Sequence, residues 1–237
     1  MKYIVNYLLL SVILFSLGSC SHSGKRKKSV RNAPTVISHK GANDHKPFKN
    51  PVSLNILYEE NKDAVFLIYT SDGEKYHQGS GFFVSADGVG ISNYHVFEGT
   101  FRGKEIIKLP NGKEYTISEV LASSKEFDYI IFHVKSNGEE FPFAKLSSKE
   151  PIIGESVFAI GNPKGLESTL STGIVSSIRT EEHLIQTTAE ITNGSSGGPL
   201  FNMDGRVVGI TSSGMGEANL NFAIDIRVLN IGNLVRR

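Results

Sequence analysis

The 237-residue sequence has no tryptophan and only one cysteine. A single cysteine cannot form a disulfide within the chain, so packing and hydrogen bonds must hold the fold. The 25 lysines and arginines nearly balance the 24 aspartates and glutamates, so the composition has no excess of positive charge that would indicate nucleic-acid binding. Neither a CxxC nor an HExxH spacing occurs, so we expect no metal site and no cofactor.

The N-terminus has an apolar stretch that is too short to span a bilayer, from Tyr7 to Leu17. It follows the positive Lys2, as in a secretory signal peptide. The stretch ends in Leu-Gly-Ser-Cys at Cys20, which resembles a bacterial lipobox. We therefore predict a lipoprotein-type signal peptide over residues 1–20 and a lipid anchor on Cys20. An ordinary signal peptide cleaved near the same small residues is the alternative.

The segment 21–52 differs in composition from both of its neighbours. Serine, lysine, arginine, asparagine, histidine and proline dominate it, and no apolar period is present. Such a segment buries too little apolar surface to fold, so we predict a disordered tether. Its basic run at residues 25–28 fits either a solvated linker or contact with anionic lipid head groups.

A glycine-rich run surrounds Ser196 in Asn-Gly-Ser-Ser-Gly-Gly-Pro, residues 193–199. Glycines let the backbone bend tightly, expose a serine hydroxyl and direct N–H groups at one point. The run also satisfies the G-x-S-x-G elbow of α/β-hydrolases, which place their catalytic histidine after the serine. All seven histidines of this chain precede Ser196, and the elbow interpretation therefore fails.

The order histidine, aspartate, serine remains, as in chymotrypsin. Asp128 is the only aspartate between His95 and Ser196. It begins the apolar run Asp-Tyr-Ile-Ile-Phe, which predicts a strand entering a core. His95 lies where a strand-like stretch leads into a predicted short helical turn. We therefore predict a catalytic triad of His95, Asp128 and Ser196.

The pattern beyond residue 55 predicts β-structure almost throughout, and the Asn111-Gly112 pair predicts a hairpin turn. Short strands at near-regular spacing fit barrels or a sandwich. Only the tail, residues 225–237, predicts a helix, with Asp225 as its N-cap. The predicted strands are 64–69, 81–85, 106–109, 157–160, 173–178, 184–188, 206–211 and 220–224.

Several blocks of the chain resemble trypsin-like serine proteases of the HtrA/Deg branch. The resemblance spans roughly residues 55–226, in order and without large gaps. It implies an all-β fold of two six-stranded Greek-key barrels with a short C-terminal helix. It also implies a protease domain over residues 53–237, which hydrolyses unfolded or exported proteins in the cleft between the barrels. The matching blocks are 79–84, 92–96, 127–131, 161–166, 171–176, 186–200 and 221–224.

The resemblance also implies roles for residues around the nucleophile. The N–H groups of Gly194 and Ser196 would form the oxyanion hole. Ser212, Ser213 and Gly214 would present an edge strand that pairs with substrate backbone. Glu190 stands six residues before the nucleophile, at the pocket-floor position of trypsin. There it would favour lysine or arginine at P1, unless it faces solvent or pairs with a local arginine.

The chain departs from the family pattern at three places. It stops at Arg237, soon after the closing strand, so we expect no PDZ domain. Ser195 precedes the nucleophile where HtrA proteins often have asparagine, and Glu190 replaces a small apolar residue. Two non-proteolytic functions stay open at this point: an HtrA-like chaperone and a binding scaffold with little proteolysis.

Overall fold

The computed structural model describes residues 52–162, 168–212 and 220–229. Cys20, the predicted signal peptide and nearly all of the predicted tether lie outside these ranges, as do Ser213 and Gly214. The described residues form two β-sheets, one α-helix and three short 3₁₀ helices. None of the helices in these ranges is both long and apolar enough to cross a membrane.

The first sheet comprises seven antiparallel strands in the order β5-β4-β1-β2-β3-β7-β6. The spatial order β4-β1-β2-β3 places the fourth strand beside the first, which is a Greek key. The sheet curves as a half-barrel. Its strands are β1 Val65–Ser71, β2 Tyr76–Phe83, β3 Val89–Ser92, β4 Ile106–Lys108, β5 Glu114–Tyr115, β6 Ile117–Ser124 and β7 Tyr129–Val134.

The second sheet has the order β12-β9-β10-β11-β14-β13-β8, and β12 also pairs with β13. That pairing closes six strands into a barrel, while β8 runs parallel to β13 at the edge. The order β12-β9-β10-β11 repeats the Greek key. Its strands are β8 Lys145–Leu146, β9 Ser156–Gly161, β10 Thr169–Arg179, β11 Leu184–Thr187, β12 Pro199–Asn202, β13 Arg206–Thr211 and β14 Asn221–Asp225.

The predicted all-β fold of two six-stranded Greek-key barrels is confirmed, with the second sheet a closed six-stranded barrel and the first a half-barrel. Each sheet contains six longer strands and one two-residue strand, β5 or β8, within the described ranges. The predicted hairpin at Asn111-Gly112 joins β4 and β5. Gly112 has φ +81° there, in the left-handed region that glycine adopts without strain.

A helix at the start of the domain, α1 (Leu54–Asn61), was not predicted. The β interpretation from residue 55 is wrong for this segment. Leu57 and Asn61 are four residues apart, lie on the same helix face and are both buried. The Tyr58 hydroxyl donates to the Ser168 carbonyl at 2.8 Å, which attaches α1 to the start of β10. Tertiary contacts therefore stabilise a short segment whose own pattern is ambiguous.

The predicted C-terminal helix begins where expected, as a 3₁₀ turn at Ile226–Val228. The Asp225 carboxylate accepts a hydrogen bond from the Arg227 N–H at 2.9 Å, so the predicted N-cap is confirmed. The remainder of the predicted helix, beyond residue 229, lies outside the described residues.

The largest core cluster contains buried side chains from both sheets. Phe82 and Ile91 belong to the first sheet, and Phe158, Phe201 and Ile210 belong to the second. The rings of Phe158 and Phe201 stack with centroids 4.8 Å apart. Burial of one such aromatic side chain contributes about 1.5–3 kcal/mol. This shared core fixes the two sheets against each other and thereby the elements that approach the site.

Candidate active site

His95 lies on a 3₁₀ turn, Tyr94–Val96, directly after β3. The predicted strand-to-turn transition is therefore confirmed. Strand β3 pairs with β7, and Ser92 is opposite Ile130 in that register. Because Asp128 immediately precedes β7, this pairing brings it beside His95.

Both carboxylate oxygens of Asp128 accept hydrogen bonds from His95. Oδ1 accepts from the backbone N–H at 2.9 Å, and Oδ2 contacts the ring Nδ1 at 2.8 Å. The Asp128 backbone has φ +48°, a left-handed conformation that aspartate tolerates better than most residues. Its carbonyl accepts from Tyr94 N–H at 3.2 Å and from Asn93 Nδ2 at 2.9 Å. The carboxylate is therefore fixed through both its side chain and its backbone.

This contact determines the chemistry that the imidazole can perform. An ionised carboxylate only accepts hydrogen bonds, so Nδ1 carries the proton and Nε2 keeps a free lone pair. The His95 side chain is 40% exposed and the Asp128 side chain 27%. His95 therefore presents a basic nitrogen to an accessible surface.

Ser196 lies in a segment that packs alongside the His95 segment. Its carbonyl accepts a hydrogen bond from the Ser80 N–H at 2.8 Å. A Cβ added to the neighbouring Gly197 would lie 3.2 Å from the Asn93 backbone nitrogen. Within the described ranges, no hydrogen bond joins the His95 ring to Ser196. Such bonds are often long before substrate binds.

The residues before Ser196 form a tight turn. Ser195 N–H donates to the Thr192 carbonyl at 2.9 Å, and Gly194 has φ +95°. A hydrogen bond from the fourth residue of a turn to the first, with positive φ at the third, is typical of a type II turn. The third position of that turn favours glycine. The N–H groups of Gly194 and Ser196 donate to no other described residue. Neither predicted oxyanion donor is therefore engaged by another described group.

Thr211 holds the nucleophile segment from the second sheet. Its hydroxyl donates to the Ser195 carbonyl at 2.7 Å, and its carbonyl accepts from the Gly197 N–H at 2.8 Å. Gly197 has φ +90°, and a Cβ there would lie 2.2 Å from the Ser80 carbonyl oxygen. Only glycine fits this position without moving the backbone.

Two further residues at this site, Ser80 and Asn162, were not predicted. Both are buried, and Asn162 N–H donates to Ser80 Oγ at 2.9 Å. Ser80 Oγ donates in turn to the Gly194 carbonyl at 2.7 Å. The sequence signal was present, because Ser80 and Asn162 belong to blocks that resemble the family. The resemblance alone did not attach a role to either side chain.

Glu190 is exposed and borders a cavity of about 200 Å³. Its carbonyl accepts a hydrogen bond from Ser171 Oγ at 2.9 Å. Among the described residues, no ion pair involves Glu190. Ser195 lines the same cavity. Glu190 therefore lines the same cavity as Ser195, the residue before Ser196, and it has no cationic partner among the described residues.

Ser212, which is expected to belong to a substrate-pairing edge strand, also contacts the Asp128 carboxylate. Its Oγ lies 3.4 Å from Asp128 Oδ2, and its N–H donates to the Phe222 carbonyl at 2.9 Å. Ser212 and Asp128 both border a cavity of about 370 Å³, whose lining includes Phe127 and Leu184. Of the three predicted strand-pairing residues, Ser212 therefore adjoins the His95–Asp128 pair. The other two lie outside the described ranges.

No group of three or more histidine, cysteine, aspartate or glutamate side chains suited to a metal ion occurs within residues 52–162, 168–212 and 220–229. The donors that converge on this site are backbone N–H groups, hydroxyls and an imidazole. This donor set suits acid–base and oxyanion chemistry.

Comparison with known proteins gives the site a family context. A family model described as "Trypsin-like peptidase domain" matches residues 79–210, a range that contains His95, Asp128 and Ser196. A crystal structure of the serine endoprotease from Yersinia pestis superposes with a TM-score of 0.67 at 27% identity. The match covers 76% of this chain and 65% of the Yersinia pestis chain.

Sequence relatives point the same way. A protein named "Probable periplasmic serine endoprotease DegP-like" from Chlamydia pneumoniae is 32% identical over 85% of this chain and 43% of its own length. A protein of the same name from Hahella chejuensis is 39% identical over 65% of this chain and 34% of its own. The chain thus spans less than half the length of these relatives. Family match, fold and relatives agree, and the chain belongs to the trypsin-like peptidase family, in its HtrA-type branch.

Proposed function

We propose that this chain is a serine endopeptidase that cleaves peptide bonds through His95, Asp128 and Ser196. The observation that carries the proposal is the double hydrogen bond from His95 to the Asp128 carboxylate, next to a glycine-held serine segment. Family membership supports the same reaction. Unfolded or exported polypeptides are the proposed substrates.

Acylation begins when His95 Nε2 takes the proton of Ser196 Oγ as that oxygen attacks the scissile carbonyl carbon. The resulting imidazolium is stabilised by Asp128, which holds Nδ1–H at 2.8 Å. The imidazolium then gives its proton to the leaving amine nitrogen, and the C–N bond breaks. An acyl ester on Ser196 and a free amine remain.

Deacylation reverses the roles with water as the nucleophile. His95 takes a proton from water, the hydroxide attacks the ester carbonyl, and the proton returns to Ser196 Oγ as the acid leaves. In both halves the carbonyl oxygen becomes negative, and the N–H groups of Gly194 and Ser196 would receive it. In another serine protease, loss of one such donor costs about 10²–10³ in kcat.

Substrate backbone would pair with the segment that begins at Ser212, as an added strand. Glu190 remains a proposed determinant of P1 preference, because an unpaired carboxylate favours a cationic partner. The cavity of about 200 Å³ that Glu190 lines together with Ser195 supports this role.

We further propose that the chain is exported in a bacterium and anchored by lipid on Cys20. Its relatives carry the word periplasmic in their names, which supports export. The Leu-Gly-Ser-Cys sequence supports the anchor. Several acyl chains would hold the protein firmly, since each buried CH₂ contributes about 0.8 kcal/mol.

A fluorophosphonate probe tests the function directly, because it phosphonylates only an activated serine. We expect the full chain to be labelled at Ser196 and to cleave unfolded casein. Ser195→Ala provides a matched control, since it removes the adjacent hydroxyl and should retain the label, whereas Ser196→Ala should lose both activities. If the wild-type chain is not labelled but prevents aggregation of unfolded protein, a chaperone function would replace the proposed protease function.

A further inference from the structure

Ser80, at the middle of β2, contacts the carbonyls of both residues proposed to supply the oxyanion hole. Its N–H donates to the Ser196 carbonyl at 2.8 Å, and its hydroxyl donates to the Gly194 carbonyl at 2.7 Å. The residue is completely buried, at 0% exposure. One residue of the first sheet therefore holds the nucleophile segment at two points.

The direction of the Ser80 hydroxyl is determined by Asn162, the residue directly after β9. Asn162 donates to Ser80 Oγ from its backbone N–H at 2.9 Å and from Nδ2 at 3.3 Å. With these donors on the oxygen, the hydroxyl proton points to the Gly194 carbonyl. Asn162 Nδ2 also donates to the Phe66 carbonyl at 3.0 Å, and its side chain is therefore fixed in turn.

The peptide units of the segment are held in different ways. The unit between Gly194 and Ser195 is fixed at both ends, its carbonyl by Ser80 and its N–H by Thr192. The unit between Ser195 and Ser196 is held through its carbonyl by Thr211 and the Gly198 N–H. The preceding unit, which carries the Gly194 N–H, has no partner of its own among the described residues. Its direction depends on the unit that Ser80 holds.

Gly194 makes this dependence important. Glycine has no Cβ to restrict its dihedral angles, so a Gly194 that lost its carbonyl partner could rotate at little cost. Rotation of the peptide unit would turn its N–H away from the developing oxyanion. The half-buried Gly194 carbonyl would also lose its donor, which itself favours rearrangement.

We propose that Ser80 is a positioning residue, whose hydroxyl holds the Gly194 N–H in the direction that receives the oxyanion. This inference rests on the proposed protease function. It adds a role for a side chain that contacts neither the substrate nor the reacting atoms. The Ser80 backbone N–H remains in any variant, so the hydroxyl can be tested alone.

The test is Ser80→Ala in the full chain, with hydrolysis of a fluorogenic peptide and binding of a peptide aldehyde as readouts. Ser196 Oγ adds to the aldehyde carbon while its proton passes to His95. The former aldehyde oxygen then occupies the oxyanion hole. We expect kcat to fall about 10- to 100-fold, below the full loss of one oxyanion donor. Aldehyde affinity should fall by the same factor, whereas KM should change less than about threefold.

Ser85→Ala is the matched control, because Ser85 is also a buried serine and accepts a hydrogen bond from Val89 N–H at 3.0 Å. It lies five residues further along, at the β2–β3 turn. We expect a comparable loss of thermal stability in both variants but wild-type kcat in Ser85→Ala only. A general effect of losing a buried hydroxyl would lower kcat equally in both and would overturn the inference.

Ser80→Cys serves if Ser80→Ala does not fold, since the thiol leaves no cavity, although sulfur is larger than oxygen, and it donates only weakly. We expect the same parallel loss of kcat and aldehyde affinity, of smaller size. Wild-type kcat in a folded Ser80 variant would overturn the inference and leave the protease function intact. A wild-type chain that neither labels at Ser196 nor cleaves peptide would instead refute the protease function, and the Ser80 role with it.

Discussion

Asp128 binds His95 through both of its carboxylate oxygens, one on the backbone nitrogen and one on the ring. The backbone contact fixes the position of the carboxylate relative to the 3₁₀ turn, and the ring contact fixes the tautomer. Because the two contacts use different oxygens, an amide at position 128 could satisfy only part of the arrangement. This relationship leads to the first prediction.

Asp128→Asn should leave the fold intact and reduce kcat severely. The asparagine NH₂ group cannot accept from Nδ1–H, so the imidazole would take the wrong tautomer. The same change lowers kcat about 10⁴-fold in another serine protease.

Ser196→Ala and His95→Ala should each lower kcat about 10⁶-fold, and the double variant should lose scarcely more. Steady-state peptide hydrolysis measures kcat for these variants, and circular dichroism verifies that each is folded. Cleavage at the wild-type rate by Ser196→Ala would refute the triad assignment.

Glu190→Ala should change the P1 preference if the carboxylate faces the substrate. We expect the ratio of kcat/KM for arginine over valine at P1 to fall, because a carboxylate pairs favourably with a cationic side chain. Glu190→Gln is the conservative control, since it removes the charge and keeps the shape. An identical arginine-to-valine ratio in all three proteins would remove Glu190 from the specificity pocket.

Gly173→Ala should destabilise the second barrel through a steric conflict with backbone. A Cβ at Gly173 would lie 2.1 Å from the Ala189 nitrogen and 2.6 Å from the Thr188 carbonyl carbon. Overpacking of this kind costs about 1–3 kcal/mol, and we expect a value at the upper end.

Gly138→Ala is the control for the Gly173 prediction. Gly138 has φ +90° and open space around its Cβ position, so its alanine variant carries only backbone strain. That strain costs about 1–2 kcal/mol. Urea unfolding of the three proteins measures both effects, and a larger loss for Gly138→Ala would contradict the steric argument.

Asp72 should contribute to stability at moderate pH and lose that contribution in acid. Backbone N–H groups of Lys75 and Glu74, and then His77, lower its pKa from 3.8 to about 2. The charged form is therefore favoured in the folded state. The contribution is present above about pH 4 and disappears as the pH falls towards 2.

Two measurements test the Asp72 prediction. The NMR titration of the Asp72 carboxyl should have its midpoint near 2. Asp72→Asn should unfold with a shallower pH dependence between about pH 4 and 2 than the wild type. Asp87, a second turn aspartate of the first sheet, provides Asp87→Asn as a comparison. A midpoint near 3.8 for Asp72 would refute the prediction.

Cys20→Ser should abolish lipid attachment and release the chain from membranes. The acyl chains of a lipoprotein are carried by the cysteine that follows the signal peptide, and Cys20 is the only cysteine present. Palmitate labelling and membrane fractionation of the two forms measure the effect. Ser19→Ala changes the neighbouring residue without removing the thiol. A mature wild-type chain with unmodified Cys20 would leave ordinary export as the explanation.

The sequence by itself determined the class of fold and the candidates for the triad. Runs of β-branched and aromatic residues bounded by turn residues located most strands, because strand propensity and turn conformations are local properties. The order of His95, Asp128 and Ser196, with no later histidine, identified candidates for the chemistry before any geometry was known. The family resemblance selected barrels from the alternatives that periodicity left open.

Only the tertiary structure decided how the nucleophile segment is held. Helix α1 depends on packing of Leu57 in a core formed with residues far away in the sequence, which local propensity does not encode. Ser80 and Asn162 are 82 residues apart, and nothing in their spacing indicates a hydrogen bond. Packing of the two sheets brings them to Gly194, because long-range hydrogen bonds depend on how strands from different sheets meet in space.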